Sequence, residues 1–120
     1  MANSPEEFKQ RTKQFALRVI RLVDSLPGKR STDVIGKQLL RSATSVGANY
    51  RAACRGRSNA EFLAKLGIVE EEADESAFWM ELLIESEVVK ESLLGGLLQE
   101  ANEIVAMVVS SIKTARNRKS

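Results

Sequence analysis

SPEEFKQRTKQFALRVIRLVDSLPG, residues 4–28, carries the signals for one complete helix, with a start, an apolar seam and a stop. Ser4 is a favoured N-cap, Pro5 suits the first helical position, and Glu7 completes a capping box. Pro27 and Gly28 then stop the helix. Between these signals, spacings of four and three residues alternate through Phe8, Thr12, Phe15, Val19, Leu22 and Leu26. We therefore predict a helix over residues 5–26.

Three further segments repeat this spacing and predict helices over residues 32–55, 58–86 and 92–116. The seam of the second consists of Ile35, Leu39, Ser42, Val46, Asn49 and Ala53. The seam of the third consists of Phe62, Leu66, Val69, Ala73, Ser76, Met80 and Leu83. The seam of the fourth consists of Leu94, Leu98, Ala101, Val105, Val108, Ile112 and Ala115, and a basic tail follows at 117–120. Four such helices with short connections predict an all-α, up-down-up-down antiparallel four-helix bundle, a single domain over residues 1–120.

Composition narrows the function classes. The chain has no His, so it lacks the commonest general base and the commonest transition-metal ligand. We expect no enzyme, no catalytic residue, no metal and no cofactor. The single Cys54 cannot form an intrachain disulfide, which favours a reducing compartment. The N-terminus has no apolar signal core, and no apolar run reaches the roughly 18 residues of a membrane span, so we expect a cytoplasmic protein without a membrane partner.

Charge is divided between the two halves of the chain. Residues 1–57 contain 12 Lys and Arg against 4 Asp and Glu, whereas residues 58–120 contain 6 against 12. The halves therefore carry +8 and −6, which the net charge of +2 conceals. A basic half attracts polyanions, but an acidic half of the same molecule can also neutralise it.

The basic charge is densest on the outer face of the second helix. At 100° per residue, four cations fall within about 80° of one another, opposite the seam. We call these the basic stripe: Lys37, Arg41, Arg51 and Arg55. One interpretation is a phosphate-binding face, with Arg18 and Arg21 of the first helix in support. The other is a solvated face that forms ion pairs with a neighbouring acidic helix.

The third and fourth helices suggest self-association. Residues 70–75 carry the densest acidic run, which we interpret as a solvated or ion-paired face. Apolar residues also lie off the predicted seams: Ile68, Trp79 and Leu82 on the third helix, and Leu93, Leu97, Ile104 and Met107 on the fourth. A second apolar face usually contacts a partner, which favours a homo-oligomer. The alternative is one wide core stripe.

Several short motifs occur together in this sequence. The first is an R-S-x-x-S-x-x-x-N pattern at Arg41, Ser42, Ser45 and Asn49, and an S-x-x-E-F turn follows at Ser58, Glu61 and Phe62. The others are Trp79 in the acidic helix, Phe8 with Arg11, and Leu26 with Pro27. They resemble the bacterial four-helix-bundle family that includes proteins encoded in intervening sequences of 23S ribosomal RNA genes. The resemblance implies a bundle that assembles into a closed ring, often a pentamer. A related branch, the accessory proteins of diversity-generating retroelements, binds nucleic acid and a reverse transcriptase.

One position departs from the family. Many relatives carry an acidic residue after the Asn, in an N-x-x-E-type turn, where this chain has Arg51 and then Ala52 and Ala53, which makes the outer face of the second helix more basic. Composition, the second apolar face, the basic stripe and the resemblance together predict a non-enzymatic homo-oligomer. We expect it to bind RNA, or DNA, through phosphate contacts, as an accessory to a ribosomal-RNA or reverse-transcriptase system. The alternative is a structural or adaptor oligomer without a nucleic-acid ligand, in which the basic face of one subunit meets the acidic helix of the next.

Overall fold

The computed structural model describes residues 4–118 and consists of four antiparallel helices. These are α1 (Pro5–Asp24), α2 (Arg30–Cys54), α3 (Asn59–Glu85) and α4 (Glu91–Arg116). The predicted all-α four-helix bundle is thus confirmed, and every predicted helix boundary lies within two residues of the observed one. The bundle is a rod with extents of 50 × 23 × 20 Å.

Side-chain caps fix where the helices begin. Ser4 Oγ accepts a hydrogen bond from the Glu7 amide at 3.2 Å, and the Glu7 carboxylate accepts one from the Ser4 amide at 2.9 Å, which confirms the capping box. Ser58 Oγ caps α3 by accepting from the Glu61 amide at 3.1 Å. In α2, Thr32 Oγ1 accepts from the Lys29 amide at 3.1 Å. Thr32 is therefore an interior residue of the first turn, which explains why α2 starts at Arg30, two residues before the predicted boundary.

Each helix packs against its neighbours in the chain, and α1 also touches α4, the least extensive of the four contacts. Small residues bring helices close. An added Cβ on Gly47 of α2 would lie 3.3 Å from Thr12 Oγ1 of α1. Between α2 and α3, the buried hydroxyls of Ser42 and Ser76 form a hydrogen bond of 2.9 Å. Ser42 and Ser76, two of the small polar residues of the predicted seams, therefore serve close helix packing.

Two details of the predicted apolar faces are wrong. On α2, Asn49 was predicted in the seam, but it is half-buried and donates to the backbone oxygen of Ser45 at 2.9 Å. The adjacent Tyr50 is the buried residue. A straight helix drifts by about 20° per heptad, so a strict heptad seam gradually leaves the core side. On α4, Leu97 and Ile104 are core residues and not part of a second face. The core stripe of α4 is wide because this helix packs against both α1 and α3.

Helix α4 is long and apolar enough to cross a membrane by the measures of length and composition alone. Seven of its residues are nevertheless buried inside the bundle, among them Leu94, Ala101 and Val108. Only 28% of the apolar 18-residue window of α4 is buried inside the bundle, so packing within one subunit accounts for part of its apolar character.

Candidate nucleic-acid interface

The basic stripe lies on the outer face of α2, as the helical period predicted. The core side of α2 is formed by residues such as Leu39, Val46 and Ala53, which are nearly inaccessible. All four cations of the stripe are exposed. At 1.5 Å per residue, the stripe extends about 27 Å from Lys37 to Arg55.

Arg41, in the middle of the stripe, is neutralised by α3. Its guanidinium lies 3.3 Å from Glu72 Oε2 and also bonds Glu75. Hydrogen bonds to Glu75 and then to Glu72 raise the pKa of Arg41 above its ordinary value. The Glu75 carboxylate also accepts from Trp79 Nε1 at 3.1 Å. The ion-pair interpretation of the stripe therefore holds for this one cation, which is paired with the acidic helix of its own subunit.

The other three cations of the basic stripe differ from Arg41 in their ion pairing. Within residues 4–118, Lys37, Arg51 and Arg55 make no ion pair. Arg55 lines a groove of about 340 Å³ between the end of α2 and the start of α3, and Glu61 and Lys65 of α3 also line it. A cation of α3 thus adjoins the basic stripe, with one carboxylate in the same groove.

Sequence reasoning missed Lys65 because it lies in the acidic half of the chain. The signal was nevertheless present. In an antiparallel pair with a short connection, the first turns of the third helix must lie beside the last turns of the second. Lys65, about two turns into α3, is therefore brought near Arg55.

Arg18 and Arg21 do not join the basic stripe. Helix α1 faces α2 through Thr12 and Val23, which lie against Gly47 and Gly36 respectively. At 100° per residue, both arginines point at least about 120° away from these two contact residues. The guanidinium of Arg18 instead lies near α4, 3.8 Å from the position that a Cβ added to Gly96 would occupy.

Lys9 and Lys13 are better placed to extend the stripe. Both lie on the flank of α1 that adjoins α2, by the same helical geometry. Lys13 is exposed, and Lys9 lines one cleft together with Tyr50 of α2. Lys9 also forms an ion pair of 3.1 Å with Glu6, which is largely exposed, so that pair contributes little.

A second cluster of charges ties α1 to α4. Arg11 donates to Glu100 through Nε at 2.7 Å and through Nη2 at 2.9 Å, and it lies 2.5 Å from Glu103. The hydrogen bond to Glu100 contributes most to a raised pKa of Arg11. Glu100 is mostly buried, whereas Glu103 is half-exposed. Arg11 is therefore a structural cation, and it spans the least extensive helix contact in the bundle.

The acidic run of α3 forms no metal site. In the part of the chain that the structure describes, no three His, Cys, Asp or Glu side chains are grouped closely enough to hold a metal ion. Glu72 and Glu75 face Arg41, and Glu71 and Asp74 are exposed. The aromatic ring of Phe78 is 49% exposed beside them, with its centroid 5.0 Å from that of Trp79.

These features define a class: an antiparallel helical bundle with a basic outer face and a core formed by apolar and small polar side chains. The chain belongs to the 23S rRNA-intervening sequence protein family, whose sequence profile matches residues 6–110. The resemblance noted in the sequence is thereby confirmed.

A solved structure supports the same assignment. A protein of unknown function from the S23 ribosomal protein family of Bacteroides thetaiotaomicron VPI-5482 superposes with a TM-score of 0.84. It is 36% identical, and the match covers 91% of this chain and 97% of the other. Among curated proteins, none matches.

Proposed function

We propose that this protein is a non-enzymatic, homo-oligomeric RNA-binding bundle of the bacterial cytoplasm that contacts the phosphate backbone. The binding surface consists of Lys37 and Arg51 of α2, Arg55 directly after α2, and Lys65 of α3. The observation that carries the proposal is that these four exposed cations lie along one side of the rod without a paired carboxylate among residues 4–118. Cations held on a rigid helical face bind phosphates and release counterions. The family name, which refers to 23S rRNA, makes ribosomal RNA the first ligand to test.

The remaining cations have lesser roles in this proposal. Arg41 stays bound to Glu72 and Glu75 and positions the α2 face on α3. Arg18 and Arg21, on another flank, contribute only long-range attraction. Assembly into a ring, of which a pentamer is one form, would multiply one weak patch into an avid surface. A reverse transcriptase is a further candidate partner, and DNA an alternative ligand, through the same phosphate chemistry.

The proposed binding should depend steeply on salt. Four phosphate contacts predict a slope of about −3 for log affinity against log salt, so affinity should fall about 60-fold between 50 and 200 mM. Fluorescence anisotropy with a labelled 23S rRNA fragment and with a scrambled RNA of equal length would measure both slope and sequence preference. We expect similar affinities for the two RNAs. A flat salt dependence would contradict phosphate binding.

The second candidate function is an adaptor oligomer without a nucleic-acid ligand. Exposed Phe78, with Glu71 and Asp74 beside it on α3, favours this candidate because it combines apolar area with negative charge that forms no ion pair among residues 4–118. The basic stripe of a neighbouring subunit would complement that surface.

The adaptor candidate makes its own prediction. Charge reversal by E71K together with D74K should lower the molar mass measured by light scattering after size exclusion, because like charges would then meet across the interface. The same double variant should leave RNA affinity unchanged or raise it. An oligomer that keeps its mass in both E71K/D74K and R51E/R55E would exclude this charge-paired interface.

A further inference from the structure

A cleft opens at the end of the bundle where α1 and α3 begin and α2 and α4 end. It has two lobes, of about 490 and about 620 Å³. Both lobes are lined by Pro5, Tyr50, Phe62 and Arg118, so they form one continuous depression, which we call the end cleft. Each lobe by itself falls within the size range of sites that hold small organic groups.

The floor of the end cleft is aromatic. Phe8 and Tyr50 meet edge to face, with ring centroids 4.6 Å apart and an interplanar angle of 77°. Both are almost fully buried, whereas Phe62 at the start of α3 is half-buried and presents part of its ring. Three rings from three helices therefore meet at one place, although the chain has few aromatic residues.

One wall and the rim are polar. Ser110, Ser111 and Thr114 of α4 provide hydroxyl groups along one wall. The Tyr50 hydroxyl is protonated at neutral pH and can donate a hydrogen bond, and burial raises its pKa further. Lys9 lines one lobe and Arg118 lines both. Arg118 has no carboxylate partner within residues 4–118, and the Glu6 partner of Lys9 is an exposed residue that a phosphate could displace.

We propose that the end cleft takes the base of an unpaired nucleotide at the end of an RNA strand, with the adjoining phosphate on Lys9 and Arg118. A flat ring bearing hydrogen-bonding edges and one anionic group matches an aromatic floor, a hydroxyl wall and a cationic rim. Unpaired bases are commonly recognised by stacking on aromatic side chains. The end cleft also adjoins Arg55 and Gly56 at the end of α2, so a strand on the basic stripe can reach it. This inference rests on the proposed RNA binding and specifies which part of the RNA is bound most tightly.

The test compares two RNA duplexes of the same sequence, one with blunt ends and one with single unpaired 3′ adenosines. Anisotropy titrations with the full chain should give about tenfold tighter binding for the duplex with overhangs, the effect expected for one stacked base. Equal affinities would overturn the end-cleft proposal while leaving phosphate binding in place. Failure of both duplexes to bind would instead overturn the proposed function itself.

Two variants localise the preference. F62L keeps apolar packing but removes the ring face, and R118Q removes the rim charge. We expect each to reduce the overhang preference to threefold or less while blunt-duplex binding by F62L is unchanged. The matched controls are F78L, an aromatic change elsewhere on α3, and R21Q, a charge change on a different flank, and both should keep the full preference. A preference for overhangs that survives both F62L and R118Q would contradict the proposal. So would a preference that appears only after deletion of residues 1–3, because the occupant of the end cleft in the full chain would then be its own N-terminus.

Discussion

The double variant R51E/R55E is expected to bind RNA at least about 30-fold more weakly than the wild type at 0.1 M salt. Removing two phosphate contacts should reduce the magnitude of the slope of log affinity against log salt by about 1.5, which corresponds to about 30-fold at that concentration. The reversed charges then add repulsion. Both side chains are exposed and have no ion-pair partner within residues 4–118, so the fold should not change. Circular dichroism and thermal unfolding would verify this.

The matched control for this prediction is R18E/R21E. It changes net charge by the same amount but lies on the side of α1 turned away from α2. We expect a loss of threefold or less, measured by the same anisotropy titration. Equal losses in the two double variants would mean that RNA responds to net charge and not to the α2–α3 surface.

The second large effect is on stability. R11A should lower the free energy of unfolding by about 2 kcal/mol, because it removes a two-point hydrogen bond and leaves the mostly buried Glu100 without its cation. The loss of this one ion pair has a large expected effect because the α1–α4 contact is the least extensive helix contact in the bundle. Urea unfolding at a fixed subunit concentration would measure it, since oligomers link stability to concentration.

Two further variants separate charge from geometry at this position. K9A removes a cation whose partner Glu6 is largely exposed, so it should cost less than about 0.5 kcal/mol. R11K keeps the charge but loses the planar fork, and it should recover only part of the loss. If R11A and K9A unfold at the same urea concentration, the α1–α4 tether contributes nothing to stability.

Local signals in the chain were sufficient for the helices and their directions. The structure confirms, to within two residues, the start of α1 marked by Ser4 with Glu7 and its end marked by Pro27 and Gly28. It likewise confirms the start of α3 marked by Ser58. The seam of α3 was predicted well because its buried residues follow the heptad spacing closely from Leu66 to Leu83. Drift of a straight helix against a strict heptad explains why Asn49, which is half-buried, was predicted in the seam, whereas the buried residue is the adjacent Tyr50.

The candidate site was only partly predictable, because it depends on contacts between distant parts of the chain. The helical period placed Lys37, Arg41, Arg51 and Arg55 on the outside, but it could not say which of them meets a carboxylate. That depends on the rotation of α3 against α2, which brings Glu72 and Glu75 to Arg41 alone. The link from Arg11 to Glu100 is likewise a contact between the first and last helices and leaves no local signature.

The charge division of the chain therefore has three structural outcomes. Part of it is neutralised between α2 and α3 at Arg41, and part holds α1 to α4 at Arg11. A further part lies at Lys37, Arg51 and Arg55, which together with Lys65 form the surface where the proposed RNA contacts are made. A simple count of charges in each half overstates what a polyanion can reach, because Arg11 and Arg41 are already paired with carboxylates of the same subunit.

The most direct test of RNA binding is native mass spectrometry of the purified protein, recorded with and without prior nuclease treatment. We predict a homo-oligomer that carries copurifying RNA at low salt and loses that mass after ribonuclease, while the protein oligomer itself remains. R51E/R55E should purify as the same oligomer without RNA. An oligomer whose mass is unchanged by ribonuclease, from a preparation that also fails to bind added 23S rRNA fragments, would contradict the account.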